Sequence, residues 1–190
     1  GVAEIGRNMT AVEIGEDIII MDVGFQLRDA DSPGVDYILP NTKYLEDNKE
    51  KVRAVVITHG HLDHTGGIPY LMGKIGNPPL YTRNLTGLMI KKRQEEFPHL
   101  PKLNITLVEK NQTITIGKLR IKFFRDHSDG VHQSIHLVAH DLDGEGAGVL
   151  NQRVFARGRI RCEILGRVNG CTHEMTGLKG ASVKGLNCFS

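Results

Sequence analysis

Three imidazoles and a carboxylate fall within six residues of the stretch T-H-G-H-L-D-H-T-G-G, residues 58–67: His59, His61, Asp63 and His64. In an extended segment alternate residues point the same way, so His59 and His61 can present both rings to one ion. Asp63 and His64 follow a turn later and face a neighbouring position. Neutral imidazole nitrogen and carboxylate oxygen are the ligands Zn2+ takes when no thiolate is offered. Two ions roughly 3.5–4 Å apart would activate a water and hold both oxygens of a displacement at phosphorus or carbonyl. The chemistry indicated is metal-assisted hydrolysis.

The flanking elements must hold that cluster in place. V-R-A-V-V-I-T (52–58) is rich in β-branched residues and predicts a buried strand. I-P-Y-L-M-G-K-I (68–75) has Pro69 near its start and apolar residues at helical spacing, which predicts a short helix. The cluster therefore lies on a strand-to-helix loop, the kind of place where function collects. Upstream, M-T-A-V-E-I (9–14) and D-I-I-I-M-D-V (17–23) read as strands joined by a tight turn at Gly15-Glu16. T-K-Y-L-E-D-N-K (42–49) reads as helical, and N-P-P-L-Y (77–81) begins a short strand. N-L-T-G-L-M-I-K-K-R-Q-E-E-F (84–97) reads as a helix capped by Asn84, its K-K-R a solvated end. N-I-T-L-V (104–108), T-I-T-I (113–116) and L-R-I-K-F-F (119–124) read as strands, with Gly117 turning the last pair. This order is that of an α/β or α+β fold.

With 190 residues, 39% hydrophobic and 24% charged, the chain can bury one substantial core, giving one domain or one with an appendage. A net charge of +2 neither demands nor forbids a nucleic-acid partner. No apolar run approaches the ~20 residues of a membrane span, and the first ten residues lack the pattern of a signal peptide. Three cysteines, Cys162, Cys171 and Cys188, are an odd count that argues against a secreted disulfide framework. A cytoplasmic protein without membrane attachment is expected. Past about residue 126 the character changes. All seven prolines precede residue 102, all three cysteines follow residue 161, and residues 141–190 hold 9 of the 22 glycines without a sustained period. Two readings stay open there: an irregular tail or domain end, and a segment that is not the evolved continuation of the first part.

T-H-G-H-L-D-H-T-G-G resembles the signature of the metallo-β-lactamase superfamily. The flanks G-V-A-E-I-G-R-N-M-T, D-I-I-I-M-D-V-G, V-D-Y-I-L-P-N-T-K-Y-L, G-G-I-P-Y-L, N-P-P-L-Y-T-R-N-L-T and I-K-F-F-R-D-H-S resemble the opening of the ribonuclease J family, over residues 1 to about 130. The resemblance implies a four-layer αββα sandwich with two zinc ions, an inserted β-CASP domain, and RNA as substrate for endonucleolytic or 5′-to-3′ exonucleolytic cutting. Carried over, His59 and His61 would bind a first zinc, and Asp63 and His64 a second. His127, followed by Ser128 at a strand end, matches the family's next ligand. Asp22 matches an aspartate that supports the site from behind. Asp63 is the candidate to orient or deprotonate the attacking water.

The resemblance then breaks. H-S-D-G-V-H-Q-S-I-H-L-V-A-H-D-L-D-G has no counterpart of the family's Thr-Gly-Asp-Phe stretch, whose Asp bridges the metals; Asp141 and Asp143 come too early. His132, His136 and His140 recur every four residues and would stripe a helix, although H-L-V-A-H also suits a strand. Cys162, Cys171 and His173 match no standard zinc spacing. The expectation is an incomplete sandwich, residues 1–130, followed by a divergent Gly-rich tail, residues 131–190. It would hold one or two zinc ions, the second weakly, and self-associate through uncovered sheet edges. Two other readings remain: a glyoxalase II-like thioesterase with the same ligands, and a non-enzymatic metal-binding fragment.

Overall fold

The computed structural model describes residues 8–27, 34–117 and 119–125, and beyond them four strands within residues 133–185. Strands β1 (Thr10–Ile14) and β2 (Asp17–Met21) form the expected hairpin. Its turn suits Gly15, whose φ of +58° would strain most side-chain-bearing residues. A two-stranded ribbon, β3 (Gln26–Leu27) with β4 (Tyr37–Ile38), precedes helix α1 (Lys43–Asp47). Strand β5 (Val52–Val56) then pairs parallel to β2. The loop after β5 enters helix α2 (Leu62–Thr65) directly, and helix α3 (Ile68–Leu71) follows with Pro69 in its first turn.

Strand β6 (Leu80–Thr82), helix α4 (Asn84–Gln94) and strand β7 (Ile105–Leu107) extend the parallel part, giving a six-stranded sheet in the order β13-β1-β2-β5-β6-β7. Arg83, not Asn84, is the N-cap of α4: its carbonyl accepts from Gly87 N–H at 2.8 Å, so Asn84 is already helical. The second sheet is an antiparallel meander of β8 (Thr113–Ile116), β9 (Leu119–Arg125), β10 (Gln133–His140), β11 (Ala147–Val154) and β12 (Ile160–Ile164). The last strand, β13 (Ala181–Gly185), returns to pair with β1.

Alternation along the strands divides the core in two. Ile18 and Ile20 of β2, with Val55 of β5 and Ile57 just beyond it, pack beneath the helices against Leu45, Ile68, Leu71 and Ile90. Ile19, Met21 and Val56 point the other way, onto Leu119, Ile121 and Phe123 of β9. Period-two burial on both faces is what a strand sandwiched between a helical layer and a second sheet requires. Helices, sheet and sheet are thus three layers of the expected αββα sandwich; a second helical layer is not among the described residues.

Past residue 126, β10–β13 are the described segments. H-L-V-A-H lies in strand β10, with His136 in register between Lys122 and Asn151. His136 and His140 therefore form no helical stripe, and His132 lies outside the described residues. Among the described residues no helix is long and apolar enough to cross a membrane.

Candidate metal centre

Strand β2 ends at Met21, and the chain crosses beneath the histidine loop. Asp22 N–H donates to Val56 O at 2.9 Å, Val23 N–H to His64 O at 2.8 Å, and Gly67 N–H to Val23 O at 2.9 Å. Gly24 N–H donates to Asn8 O at 3.0 Å, which ties in the chain two residues before β1. The parallel β2–β5 pair thus brings a strand end, a loop and the first turn of α2 to one sheet edge. This is where open α/β sheets carry their sites.

Asp22 is fully buried, at φ +59°, and its carboxylate is the hub. Thr58 donates its N–H to Oδ1 at 2.8 Å, and its hydroxyl lies 2.9 Å from each oxygen. His64 Nδ1 lies 2.7 Å from Oδ2. A carboxylate only accepts, so Nδ1 of His64 carries a proton, and Nε2 is the nitrogen left to a metal once it gives up its own. The single proton of Thr58 goes to Asp22, so its oxygen accepts from His59 Nδ1–H at 3.0 Å. That leaves the lone pair of His59 on Nε2. One buried carboxylate therefore fixes the tautomers of two histidines, directly and through one hydroxyl, as supporting groups do behind metal-ligating imidazoles.

The freed nitrogens meet their partners in pairs. His59 Nε2 lies 3.2 Å from His61 Nδ1, and His64 Nε2 lies 3.4 Å from Asp63 Oδ2. Ligand atoms about 2.0–2.1 Å from a tetrahedral zinc stand roughly 3.3 Å from one another. Both pairs fit that edge, and both are made of the donors zinc prefers. Among the described residues no three His, Cys, Asp or Glu side chains form a closed ligand set. The loop thus supplies two donors to each pair. His127, Asp141 and Asp143 lie outside the described residues.

Charge within the cluster suits ligation. Burial and the charge of His64 push His59 down to about 4, so its ring is neutral at neutral pH. Burial alone would lower His64, but the carboxylates of Asp22 and Asp63 hold it up at about 9. Its Nε2 is a strongly basic nitrogen for which a proton and a metal compete. Burial would raise Asp63, yet its hydrogen bond and attraction to His64 outweigh this and keep the carboxylate ionised.

Two participants were not anticipated. Thr58 is the link from Asp22 to His59, and its only sequence signal is a place directly before the cluster. Asn8, buried, brings its side-chain nitrogen to 3.0 Å from both Asp63 Oδ2 and His64 Nε2. It lies fifty-five residues upstream of Asp63, and nothing local marks it. Beside the loop, a cleft of about 290 Å3 runs from Gly60 and Leu62 to Met89 and Arg93 of α4. Leu85, Leu88 and Met89 stand exposed on that helix, an apolar face turned to solvent.

Residues 3–152 match the family model described as Metallo-beta-lactamase superfamily. The chain is similar to Ribonuclease J 1 of Streptococcus pyogenes, 34% identical over 145 residues, covering 76% of this chain and 26% of that protein. It is also similar to Ribonuclease J2 of Bacillus subtilis, 31% identical over 125 residues, covering 66% of this chain and 22% of that protein. The chain thus spans about a quarter of the length of these relatives. In fold it is similar to the solved Rm3 metallo-beta-lactamase, with a TM-score of 0.50 and 16% identity over 79% of this chain and 58% of that one.

Proposed function

We infer function from one premise, that the chain belongs to the metallo-beta-lactamase superfamily. We propose that it is part of a zinc-dependent phosphodiester hydrolase of the ribonuclease J type, acting on RNA in the cytoplasm. The observation that carries this reading is the two donor pairs on one loop, with lone pairs set by Asp22 and Thr58. The names of the curated relatives support RNA as the substrate class and weigh against the thioesterase reading.

In this proposal His59, His61 and His127 hold the first zinc, and Asp63 and His64 contribute to the second. Zinc there would supply Lewis acidity and a water acidified for attack at phosphorus. Asp63, half-buried and ionised, would be the residue to orient that water and accept its proton. Residues 1–130 make up the partial catalytic domain and residues 131–190 the divergent segment, although the family match runs on to residue 152.

Replacing His59 or His61 by alanine is expected to remove the more tightly held zinc. Elemental analysis of the purified variants should show stoichiometric loss of that ion. Unchanged zinc content in both would refute the ligand assignment.

The 190-residue stretch by itself is expected to show little or no ribonuclease activity. Two-metal hydrolysis needs both ions in fixed relation, and Asp141 and Asp143 do not match the family's bridging aspartate. A net charge of +2 also gives little counterion release to grip RNA. The measurement is cleavage of 5′-monophosphorylated RNA with added Zn2+ or Mn2+, beside a His64→Ala control. Cleavage lost in the control would overturn this expectation.

A further inference from the structure

Met89 of α4 is 46% exposed, yet its thioether lies against the histidine loop. A Cβ on Gly60 would meet Met89 Sδ at 2.5 Å and Cε at 2.9 Å. That contact lies in the wall of the cleft between the loop and α4, about 290 Å3 in volume. Leu62, Pro69, Met89 and Ile90 give the cleft an apolar lining, and Arg93 and Glu96 add charge. The Arg93 guanidinium is little used by the protein. Its Nε is buried without a hydrogen-bond partner, and Nη1 stands 4.0 Å from Glu96 Oε2, beyond hydrogen-bond range. The Phe97 ring lies 5.9 Å from its Cζ, a contact that engages the face of the cation and none of its N–H groups. Lys92, by contrast, is paired with Glu95 at 2.6 Å. A planar fork whose donors are unspent suits phosphate above other anions.

We propose that this cleft is a nucleotide subsite: the base next to the scissile phosphate lies on the apolar lining, and a phosphate flanking that base is held by Arg93. The proposal deepens the ribonuclease reading and takes its substrate class from it. Three features point to this occupant. Gly60 and Leu62 belong to the loop that carries the proposed zinc ligands, so a group in the cleft adjoins the reacting centre. The lining joins an apolar surface to a cation, as the alternation of base and phosphate along a single strand requires. The volume is at the lower end of the range for small-molecule pockets, which suits one nucleotide. Glu96, its side chain 64% exposed, opposes an anion from the solvent side, where water and salt screen it.

The test is titration of the nitrogen-15-labelled chain with adenosine 5′-monophosphate, with EDTA present so that no metal takes part. The amides of Gly60, Met89 and Arg93 should shift together and saturably. Arg93→Gln keeps a helix-forming side chain and should weaken binding roughly tenfold, as should exchanging the nucleotide for adenosine. Glu96→Gln should tighten binding, and Leu85→Ala, on the same helix outside the cleft, should leave it unchanged. Wild-type affinity in Arg93→Gln would overturn the subsite, as would octanoate filling the cleft where the nucleotide does not. Nucleotide binding as expected, with zinc content unchanged in His59→Ala and His61→Ala, would fell the ligand reading and keep the subsite. Loss of zinc in those variants, with no shift at Gly60 and Met89, would fell the subsite and keep the ligand reading.

Discussion

Gly24→Ala is expected to destroy the metal centre and to destabilise the fold by more than about 3 kcal/mol, the upper end of ordinary overpacking. A Cβ at position 24 would sit 1.7 Å from the carbonyl oxygen of Asp63, 2.4 Å from its carbonyl carbon and 3.1 Å from the carbonyl oxygen of Asn8. All three are backbone atoms, so no side chain can swing aside. The surrounding backbone is pinned as well, by Val23 N–H on His64 O, Gly67 N–H on Val23 O and Gly24 N–H on Asn8 O. Relief would part the Asp22 crossing from the histidine loop by more than an ångström, at the place where His64 needs its carboxylate. Urea unfolding and zinc stoichiometry measure the two effects. A variant with wild-type midpoint and zinc content would show that the crossing is looser than these distances require.

Asp22 should be nearly as sensitive, and two substitutions separate its roles. Asp22→Ala strips the buried partner from His64 and Thr58, a change that typically costs about 3–5 kcal/mol. It also places alanine at φ +59°, which adds strain. Asn tolerates that backbone and keeps one acceptor for Thr58 N–H, so Asp22→Asn should fold. Its NH2 group, however, can meet His64 Nδ1 only if that nitrogen gives up its proton. The neutral ring then keeps its one proton on Nε2, the nitrogen that faces Asp63. Asp22→Asn should therefore retain most stability and lose the proposed second metal position. Nitrogen-15 shifts of the His64 ring report the tautomer, and a titration reports the metal. Wild-type tautomer and binding in Asp22→Asn would overturn this role.

The loop was legible because its chemistry is local: four donors in six residues declare themselves without knowledge of the fold. The central strands were legible for a related reason. Ile18, Ile19, Ile20 and Met21 are all apolar, as a strand covered on both faces must be, and the structure sends them alternately to two cores. Asn8 and Thr58 were not legible, because their work depends on where β1, the Asp22 crossing and α2 meet. Nor was the burial of α4: Thr86, Gly87 and Ile90 face inward while Leu85, Leu88 and Met89 face solvent, so its apolar residues do not mark its core side. A Cβ on Gly87 would lie 2.6 Å from the tip of Leu107, so Gly87 brings the inner face of α4 close to β7. Strands β11–β13 lay in Gly-rich sequence with weak alternation, where pairing rather than local pattern defines the strand.

The order of the six-stranded sheet has a consequence for synthesis. From β1 through β2, β5 and β6 to β7, neighbours in space follow the order in which a ribosome makes them. Each new strand can therefore dock on a partner already present, and the Asp22 crossing can close over the histidine loop once β5 and α2 have emerged. The exception is β13, which pairs with β1 from Ile14↔Ala181 to Thr10↔Gly185. At about 5–20 residues per second, the outer edge of β1 waits on the order of ten seconds or more for that strand. During that interval a nascent chain offers an open row of N–H and C=O groups to its neighbours on the same message.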